Sequence, residues 1–179
     1  MAQTSTVYQL SVELSDMDRG VYETFKLSVA LHPSESMEFM TTRVLAYCLE
    51  YGEGITFSRG VGAPEDPTVS LKGLDGSYKI WIEIGSPDPE RLHKAAKISE
   101  RVAVYSHRPL GLLLQALRQR QIFRGEEISV YTFAPEFIRS VSSAVERRSD
   151  FSVSRSDQTL YVTMNGHDFS SAVVESRIS

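Results

Sequence analysis

The chain has 179 residues, of which 41% are apolar and 23% are charged, and its formal net charge is −4. These values are typical of a soluble globular protein with a real core, and they argue against a general nucleic-acid coat. The opening residues lack a charged start followed by an apolar run, and no stretch approaches the ~20 apolar residues of a membrane span. We therefore expect neither a signal peptide nor a membrane segment.

Two alternating runs open the chain and predict a hairpin with one face in water. Apolar residues occupy every second position in 8–14 and again in 25–31, and turn residues fill 16–20. After this hairpin, Ser34 is the predicted N-cap of a helix that runs to about Tyr51.

The apolar stripe of this predicted helix contains Cys48, the only cysteine of the chain. We expect it to be an inert packing residue, and its isolation favours a reducing compartment, so the expected location is the cytoplasm. Glu38 lies on the flank of the stripe. Glu35, Arg43 and Glu50 project further from it and are expected to be solvated.

The middle of the chain predicts three strands, a helix and a strand. The strands are 55–58, 69–72 and 78–84, the helix starts at Pro89 with Ser86 or Asp88 as its cap, and the last strand is 102–105. The remainder predicts a helix over 110–121, a strand over 128–133 and a helix from Pro135 to about 147. A strand over 160–164 follows, then a type I′ turn at Asn165-Gly166, and fraying from about residue 175. The predicted fold is one α+β domain over 1–179, with a mixed central β-sheet flanked by helices.

Glu83 is the most informative residue, because its strand otherwise reads as buried on both faces. Alternation places it on one face with Lys79 and Trp81. A buried carboxylate costs several kcal/mol unless it is paired, protonated or bound to a metal. Two interpretations stay open: a chemical site, or a structural ion pair with Lys79, Arg59 or Arg43.

Further acids accompany Glu83 in the middle of the chain, namely Glu38 on the first helix and Asp66 before the second strand. Carboxylates that converge from a helix and a sheet suit Mg²⁺ or Mn²⁺, and a nearby ammonium group such as that of Lys94 or Lys97 suits a scissile phosphate. These residues indicate metal-assisted phosphodiester hydrolysis. The competing interpretation is that each acid is structural.

Cations are concentrated in one stretch, which we call the basic segment (91–124). It contains a single acid, Glu100, and eight cations: Arg91, Lys94, Lys97, Arg101, Arg108, Arg118, Arg120 and Arg124. Such asymmetry is typical of a surface that faces phosphate, and also of helices with solvated basic faces.

Several separate motifs, in order along the chain, resemble the YaeQ family of bacterial proteins. They are 14–19 (LSDMDR), 32–35 (HPSE) with Glu38, Arg43, Leu45 and Ala46, 57–60 (FSRG), and 81–88 (WIEIGSPD) with Arg91. The resemblance implies a variant of the PD-(D/E)XK nuclease-like fold, also seen in restriction endonucleases. Its core would span about 32–106, with the N-terminal hairpin and the C-terminal strands added.

The resemblance also implies roles for particular residues. Glu83 is similar to the acid of the (D/E)XK element, and Glu38 to the helix acid that such nucleases often add. Gly85 stands in place of the motif lysine, which Lys94 or Lys97 would have to replace. Thr68 stands in place of a metal-binding aspartate, for which Asp66 or Asp75 would substitute.

The expected function is therefore a cytoplasmic protein with a divalent-metal, nuclease-like site that hydrolyses or binds nucleic acid. Glu83 and Asp66 would ligate the metal, Glu38 would ligate it or orient water, and Lys94 would steady the phosphate. The alternative is a catalytically inactive module of the same fold that acts in regulation, by binding nucleic acid through the basic segment or by binding a protein. The resemblance implies no known activity.

Overall fold

A computed structural model of the chain describes residues 4–58 and 64–178. The described residues form eleven strands, four α-helices and a short 3₁₀ helix at Gly125–Glu127. The elements in chain order are β1 (Thr6–Asp16), β2 (Val21–Leu31), α1 (Met37–Leu49), β3 (Ile55–Phe57), β4 (Val69–Lys72), β5 (Tyr78–Ile84), α2 (Pro89–Ile98), β6 (Ser99–Ser106), α3 (Leu110–Arg118), β7 (Ser129–Thr132), α4 (Pro135–Ala144), β8 (Arg148–Ser156), β9 (Thr159–Met164), β10 (His167–Ala172) and β11 (Val174–Arg177).

The fold is mixed α+β, which confirms the predicted class, but the strands form two mixed sheets where the sequence predicted one central sheet. The chain divides into two compact units, each drawn from two stretches of sequence. Unit 1 comprises Met1–Val44 and Phe133–Val173, and unit 2 comprises Leu45–Thr132 and Val174–Ser179. The predicted single domain stays a prediction beside this division.

Unit 1 is built on a five-stranded sheet in the order β10-β9-β8-β1-β2. β1 pairs with β2 as the predicted antiparallel hairpin and with β8 in parallel. Leu10, Val12 and Leu14 are buried while the side chains between them are largely exposed, so the predicted wet and dry faces are confirmed.

Local turn chemistry positions the last hairpin of unit 1. Asn165 and Gly166 join β9 to β10 with φ angles of 51° and 82°, as a type I′ turn requires. The Asn165 side chain also donates to the Ala144 carbonyl oxygen at the end of α4 (2.9 Å). The turn therefore holds the hairpin against the helix that precedes it.

Unit 2 is built on a six-stranded sheet in the order β11-β7-β6-β5-β4-β3. β5, β6 and β7 run parallel, while β3, β4 and β11 pair antiparallel with their neighbours. The order helix, three strands, helix, strand from α1 to β6 is the predicted one. One face of this sheet packs a hydrophobic cluster from α2 and α3 onto β5, β6 and β7, including Leu92, Leu117 and Val104.

The start of α1 differs from the prediction. Ser36, not Ser34, accepts the amide of Phe39 (3.1 Å), three residues into the helix as an N-cap should. The Ser34 hydroxyl instead contacts His32 Nδ1 (2.6 Å). Pro33 and this local bond keep the chain non-helical for two residues longer than the serine at 34 suggested.

The C-terminal third holds two further differences. α4 ends at Ala144 rather than near 147, and 148–156 forms β8, a strand that the sequence analysis does not assign. Residues 174–177 are not frayed, because β11 pairs antiparallel with β7 and the Ser129 hydroxyl donates to Glu175 (2.8 Å). β8 pairs with the adjacent β9 and with the distant β1, and β11 pairs with the distant β7.

Within the ranges that the structure describes, no helix has the length and apolar character needed to span a membrane.

Candidate functional site

Glu83 lies near the carboxyl end of β5, on the face of the unit 2 sheet that α2 covers. β5 and β6 pair in parallel with Trp81 opposite Val102 and Glu83 opposite Val104, so these side chains share one face. Glu83 is 5% exposed. The predicted burial of this acid is therefore confirmed.

Three donors meet the Glu83 carboxylate. Oε1 accepts the indole Nε1–H of Trp81 (2.7 Å) and the Nε–H of Arg91 (2.7 Å), and the Thr68 hydroxyl donates to the same carboxylate. The ion pair predicted as one interpretation is present, but its cation is Arg91. Of the partners named from sequence, Arg43 pairs with Glu35 instead, and Arg59 lies outside the described residues.

Each of the three guanidinium nitrogens of Arg91 donates a hydrogen bond. Beyond the Nε bond to Glu83, Nη2 donates to the carbonyl oxygen of Asp66 (2.6 Å) and Nη1 to that of Pro64. Arg91 lies in the first turn of α2, which begins where the Asp88 side chain accepts the Glu90 amide (2.8 Å), so one of the two predicted caps is confirmed. This cap sets the direction in which Arg91 reaches back over β5.

Burial raises the pKa of Glu83 above its ordinary value, against the lowering effects of the Trp81, Arg91 and Thr68 contacts. Desolvation of the charged form thus outweighs a close cation and three hydrogen bonds. These contacts offset part of the free-energy cost of burying the Glu83 carboxylate, as expected for a structural ion pair.

The other predicted site residues occupy different surroundings. Asp66 meets the Glu83 site through its backbone carbonyl, as a partner of Arg91. Lys94 is exposed and pairs with Glu90 one turn away (3.5 Å), on the rim of a cavity of about 210 Å³ that Arg91 also lines. Glu38 is half-buried in the first turn of α1 and belongs to unit 1, whereas the other three belong to unit 2. The predicted roles of these four residues stay predictions.

The two departures from the nuclease motif have visible local causes. Gly85 has a φ of 87°, a left-handed conformation that strains any lysine placed there, and its amide donates to the Tyr105 carbonyl oxygen (2.8 Å). Thr68 is a donor to Glu83. Asp75, the other candidate substitute, accepts the backbone amide of Ser77 in its own exposed turn (3.0 Å).

A divalent ion needs converging oxygen ligands, most of them carboxylates or waters. Over residues 4–58 and 64–178, no group of three or more histidine, cysteine, aspartate or glutamate side chains is placed to hold a metal ion. Beside Glu83 a guanidinium already supplies the compensating positive charge. The residues at this site therefore do not fit the Mg²⁺ or Mn²⁺ centre expected from sequence.

The basic segment is largely engaged within the protein. Five of its eight cations contact acids or carbonyl oxygens: Arg91 with Glu83, Lys94 with Glu90, Arg101 with Glu50, Arg118 with the Ile178 carbonyl, and Arg124 with Glu127. Lys97, Arg108 and Arg120 are exposed and form no ion pair with a described residue. The cations left for an external anion are fewer than the sequence count suggests.

A second buried acid, Glu50, was wrongly expected to be solvated. It is 7% exposed, and its two oxygens accept Arg101 Nη1 (2.7 Å) and Nη2 (3.1 Å) and the Tyr105 hydroxyl (2.7 Å). Arg101 also donates to the Tyr131 hydroxyl (2.9 Å), and the rings of Tyr105 and Tyr131 stack with centroids 4.7 Å apart. This network lies on the sheet face opposite Val102 and Val104.

Two residues of the network, Arg101 and Tyr105, have shifted pKa values. Burial lowers the pKa of Arg101, but the Glu50 carboxylate outweighs burial and raises it above its usual range. Burial and the neighbouring Glu50 raise the pKa of Tyr105 well above its ordinary value. Arg101 and Tyr105 therefore keep their protons around neutral pH, which is typical of a structural cluster. The one sequence signal for it was an acid directly after the apolar run 44–49.

The comparisons with known proteins all lead to the same family. The family model described as "YaeQ protein" matches residues 1–173. An uncharacterised YaeQ protein from Escherichia coli strain K12 is 29% identical over 165 residues, which cover 91% of each chain.

Two solved structures share the fold. The crystal structure of a YaeQ protein from Pseudomonas syringae has a TM-score of 0.86 and 30% identity, and the match covers 97% of both chains. The YaeQ protein from Xanthomonas axonopodis pv. citri has a TM-score of 0.82 at 23% identity, over 97% of this chain and 99% of that one. The chain belongs to the YaeQ family.

Proposed function

We propose that the chain is a non-catalytic variant of the PD-(D/E)XK nuclease-like fold that acts in the cytoplasm by binding nucleic acid without cleaving it. The observation that carries this proposal is the ion pair between Arg91 and Glu83 (2.7 Å). The residue that resembles the acid of the nuclease motif is committed to a guanidinium, an indole and a hydroxyl. Those contacts leave it poorly suited to a metal ion.

The order helix, three strands, helix, strand supports the fold assignment, with β5 carrying the motif acid. The position of Gly85 supports the loss of catalysis. Glycine stands where the motif has a lysine, so the charge that would steady a phosphate is missing from its usual place, and the φ of 87° would strain a lysine there.

Lys97, Arg108 and Arg120 support the binding role, since they are the exposed cations of the basic segment without a described ion-pair partner. Three phosphate contacts give a log K against log[salt] slope of about −3 on duplex and about −2 on single strands. Such binding is weak and non-specific in origin, in keeping with a net charge of −4.

The first test is calorimetric titration of Mn²⁺ into the wild type and Glu83→Gln, alongside cleavage assays on DNA and RNA. We expect no binding and no cleavage in either protein, and a lower melting temperature for the variant because its ion pair is lost. Saturable Mn²⁺ binding by the wild type that Glu83→Gln abolishes would overturn the proposal.

The second test measures fluorescence anisotropy of labelled DNA and RNA across a salt series. The variant K97E/R108E/R120E should lose retention, whereas the matched control K26E/K79E/R139E, which makes the same charge change at other exposed positions, should keep most of it. Retention that is equal in both variants contradicts the assigned surface. Retention of neither DNA nor RNA by the wild type would point to a protein partner instead.

A metal-dependent phosphodiesterase is the second candidate function. It is favoured by one observation: the Asp66 backbone and the Glu83 carboxylate meet at the same guanidinium, so the segments that carry both predicted ligands converge. It requires Arg91 to leave Glu83. The Mn²⁺ titration separates the two candidates.

A further inference from the structure

Oxygen atoms enclose the Arg91 guanidinium. One belongs to the Glu83 carboxylate and two are the backbone carbonyl oxygens of Pro64 and Asp66, each facing a different nitrogen. Since these two oxygens belong to the backbone, they are not removed together with the arginine side chain. A single acid among neutral oxygens suits a monovalent cation better than a dication.

The face of the Trp81 ring adds to the preference of this site for a monovalent organic cation. The Arg91 Cζ atom lies 5.8 Å from the centroid of the Trp81 ring, and Trp81 Nε1–H donates to the same Glu83 oxygen as Arg91 does. Indole faces attract planar, weakly hydrated guanidinium groups strongly, whereas small metal ions keep their water. Ring and carboxylate are thereby fixed relative to each other.

The site opens to solvent. The Arg91 side chain is 30% exposed, and it lines a cavity of about 210 Å³ together with Trp81, Lys94 and three acids, Glu65, Asp88 and Glu90. Acids at the opening raise the local concentration of cations. A small cation therefore has both a path and a favourable field.

We propose that this pocket is a guanidinium-binding site which the chain fills with its own Arg91, so that a tethered organic cation takes the place of a metal ion. The inference rests on the proposed function, because it explains how the nuclease-like acid is neutralised without a metal. Its ligand class is a free guanidinium or alkylguanidinium ion, admitted once Arg91 is shortened.

The test is chemical rescue of Arg91→Ala, followed by thermal denaturation. Guanidinium or methylguanidinium at low-millimolar concentration should raise the melting temperature of this variant by about 3–6 °C at ten times the dissociation constant, and should leave the wild type unchanged. Guanidinium lowers the free energy of unfolding linearly with its concentration, and at low-millimolar concentration this loss is negligible. Urea, with the same planar shape and no charge, should not rescue.

A double variant, R91A/E83Q, provides the matched control, since rescue should vanish when the acid is neutral. Failure of guanidinium to stabilise Arg91→Ala overturns the inference, and so does stabilisation by Mn²⁺ or Mg²⁺ in its place. Neither result decides the proposed function, which depends on the wild type's own metal binding and cleavage.

Should Arg91→Ala not fold, Arg91→Lys gives an independent measurement. Lysine keeps the charge facing Glu83 but cannot reach both carbonyl oxygens, so its melting temperature should fall clearly below that of the exposed control Arg120→Lys. Equal melting temperatures would overturn the inference, because they would show that charge alone is needed there.

Discussion

Replacement of Glu50 by glutamine tests whether the buried network of unit 2 stabilises the fold. The change keeps the size of the side chain but removes its charge. It also puts an amide donor where an oxygen now accepts Arg101 or Tyr105. The Arg101 guanidinium is then left without its anion, and one donor of the cluster faces another donor.

The expected loss follows from the burial of the two partners. Breaking a buried ion pair by removal of one member costs about 3–5 kcal/mol. The Glu50 side chain is 8% exposed but that of Arg101 is 37% exposed, so solvent screens part of the effect and we expect about 2–3 kcal/mol. For a chain of this size, such a loss lowers the melting temperature by about 5–10 °C.

The assay is urea denaturation with a thermal melt for each of four proteins: wild type, Glu50→Gln, Tyr105→Phe and the double variant. Tyr105→Phe alone removes one hydrogen bond to a charged acceptor and should cost about 1.5–2 kcal/mol. Because Tyr105→Phe removes the same bond that Glu50→Gln weakens, their effects should be less than additive. Glu53→Gln, an exposed acid three residues on, is the matched control.

A Glu50→Gln variant that melts within about 1–2 °C of the Glu53→Gln control would refute the reasoning. It would mean that desolvation of the pair cancels its attraction, so that the network specifies geometry without adding stability.

Two further predictions concern unit 1. Burial would raise the pKa of Asp16, but hydrogen bonds from Arg155 and Arg19 outweigh it and hold that pKa below the ordinary 3.8, so the acid stabilises the fold above this value. Asp16→Asn should cost about 3 kcal/mol at neutral pH, and its deficit should shrink as the pH falls through the folded-state pKa; melts from neutral pH to about pH 3 that show a widening gap would contradict this. Ser36→Ala should lose about 1 kcal/mol by urea denaturation, whereas Ser34→Ala should stay within about 0.5 kcal/mol, and the reverse order would show that Ser34 is the cap after all.

Sequence reasoning succeeded where the cause is local. The alternation of Leu10, Val12 and Leu14, the Asn165-Gly166 turn and the Asp88 cap each depend on neighbours a few residues away, and each is present as predicted. The burial of Glu83 could equally be predicted, because the apolar residues that flank it in the strand indicate a strand buried on both faces.

Contacts between residues far apart in the sequence could not be predicted. Glu50 meets Arg101 across 51 positions, and β11 meets β7 across more than 40, so no local pattern marks either. Arg91 is only eight residues from Glu83, yet it counted as one of eight similar cations. Arg91 is the cation that pairs with Glu83 because it lies in the first turn of α2, over the end of β5.

The parallel pairing of β1 with β8 has a consequence for the order of events during synthesis. Asp16 and Arg155, paired in that register, lie 139 positions apart, and unit 2 receives β11 only from residues 174–177. An isolated hairpin such as β1 with β2 is marginally stable in water and exposes its apolar face. The edge of β1 that pairs with β8 therefore stays unpaired in the nascent chain until residues 148–156 emerge, and no single cut of the polypeptide yields either unit whole.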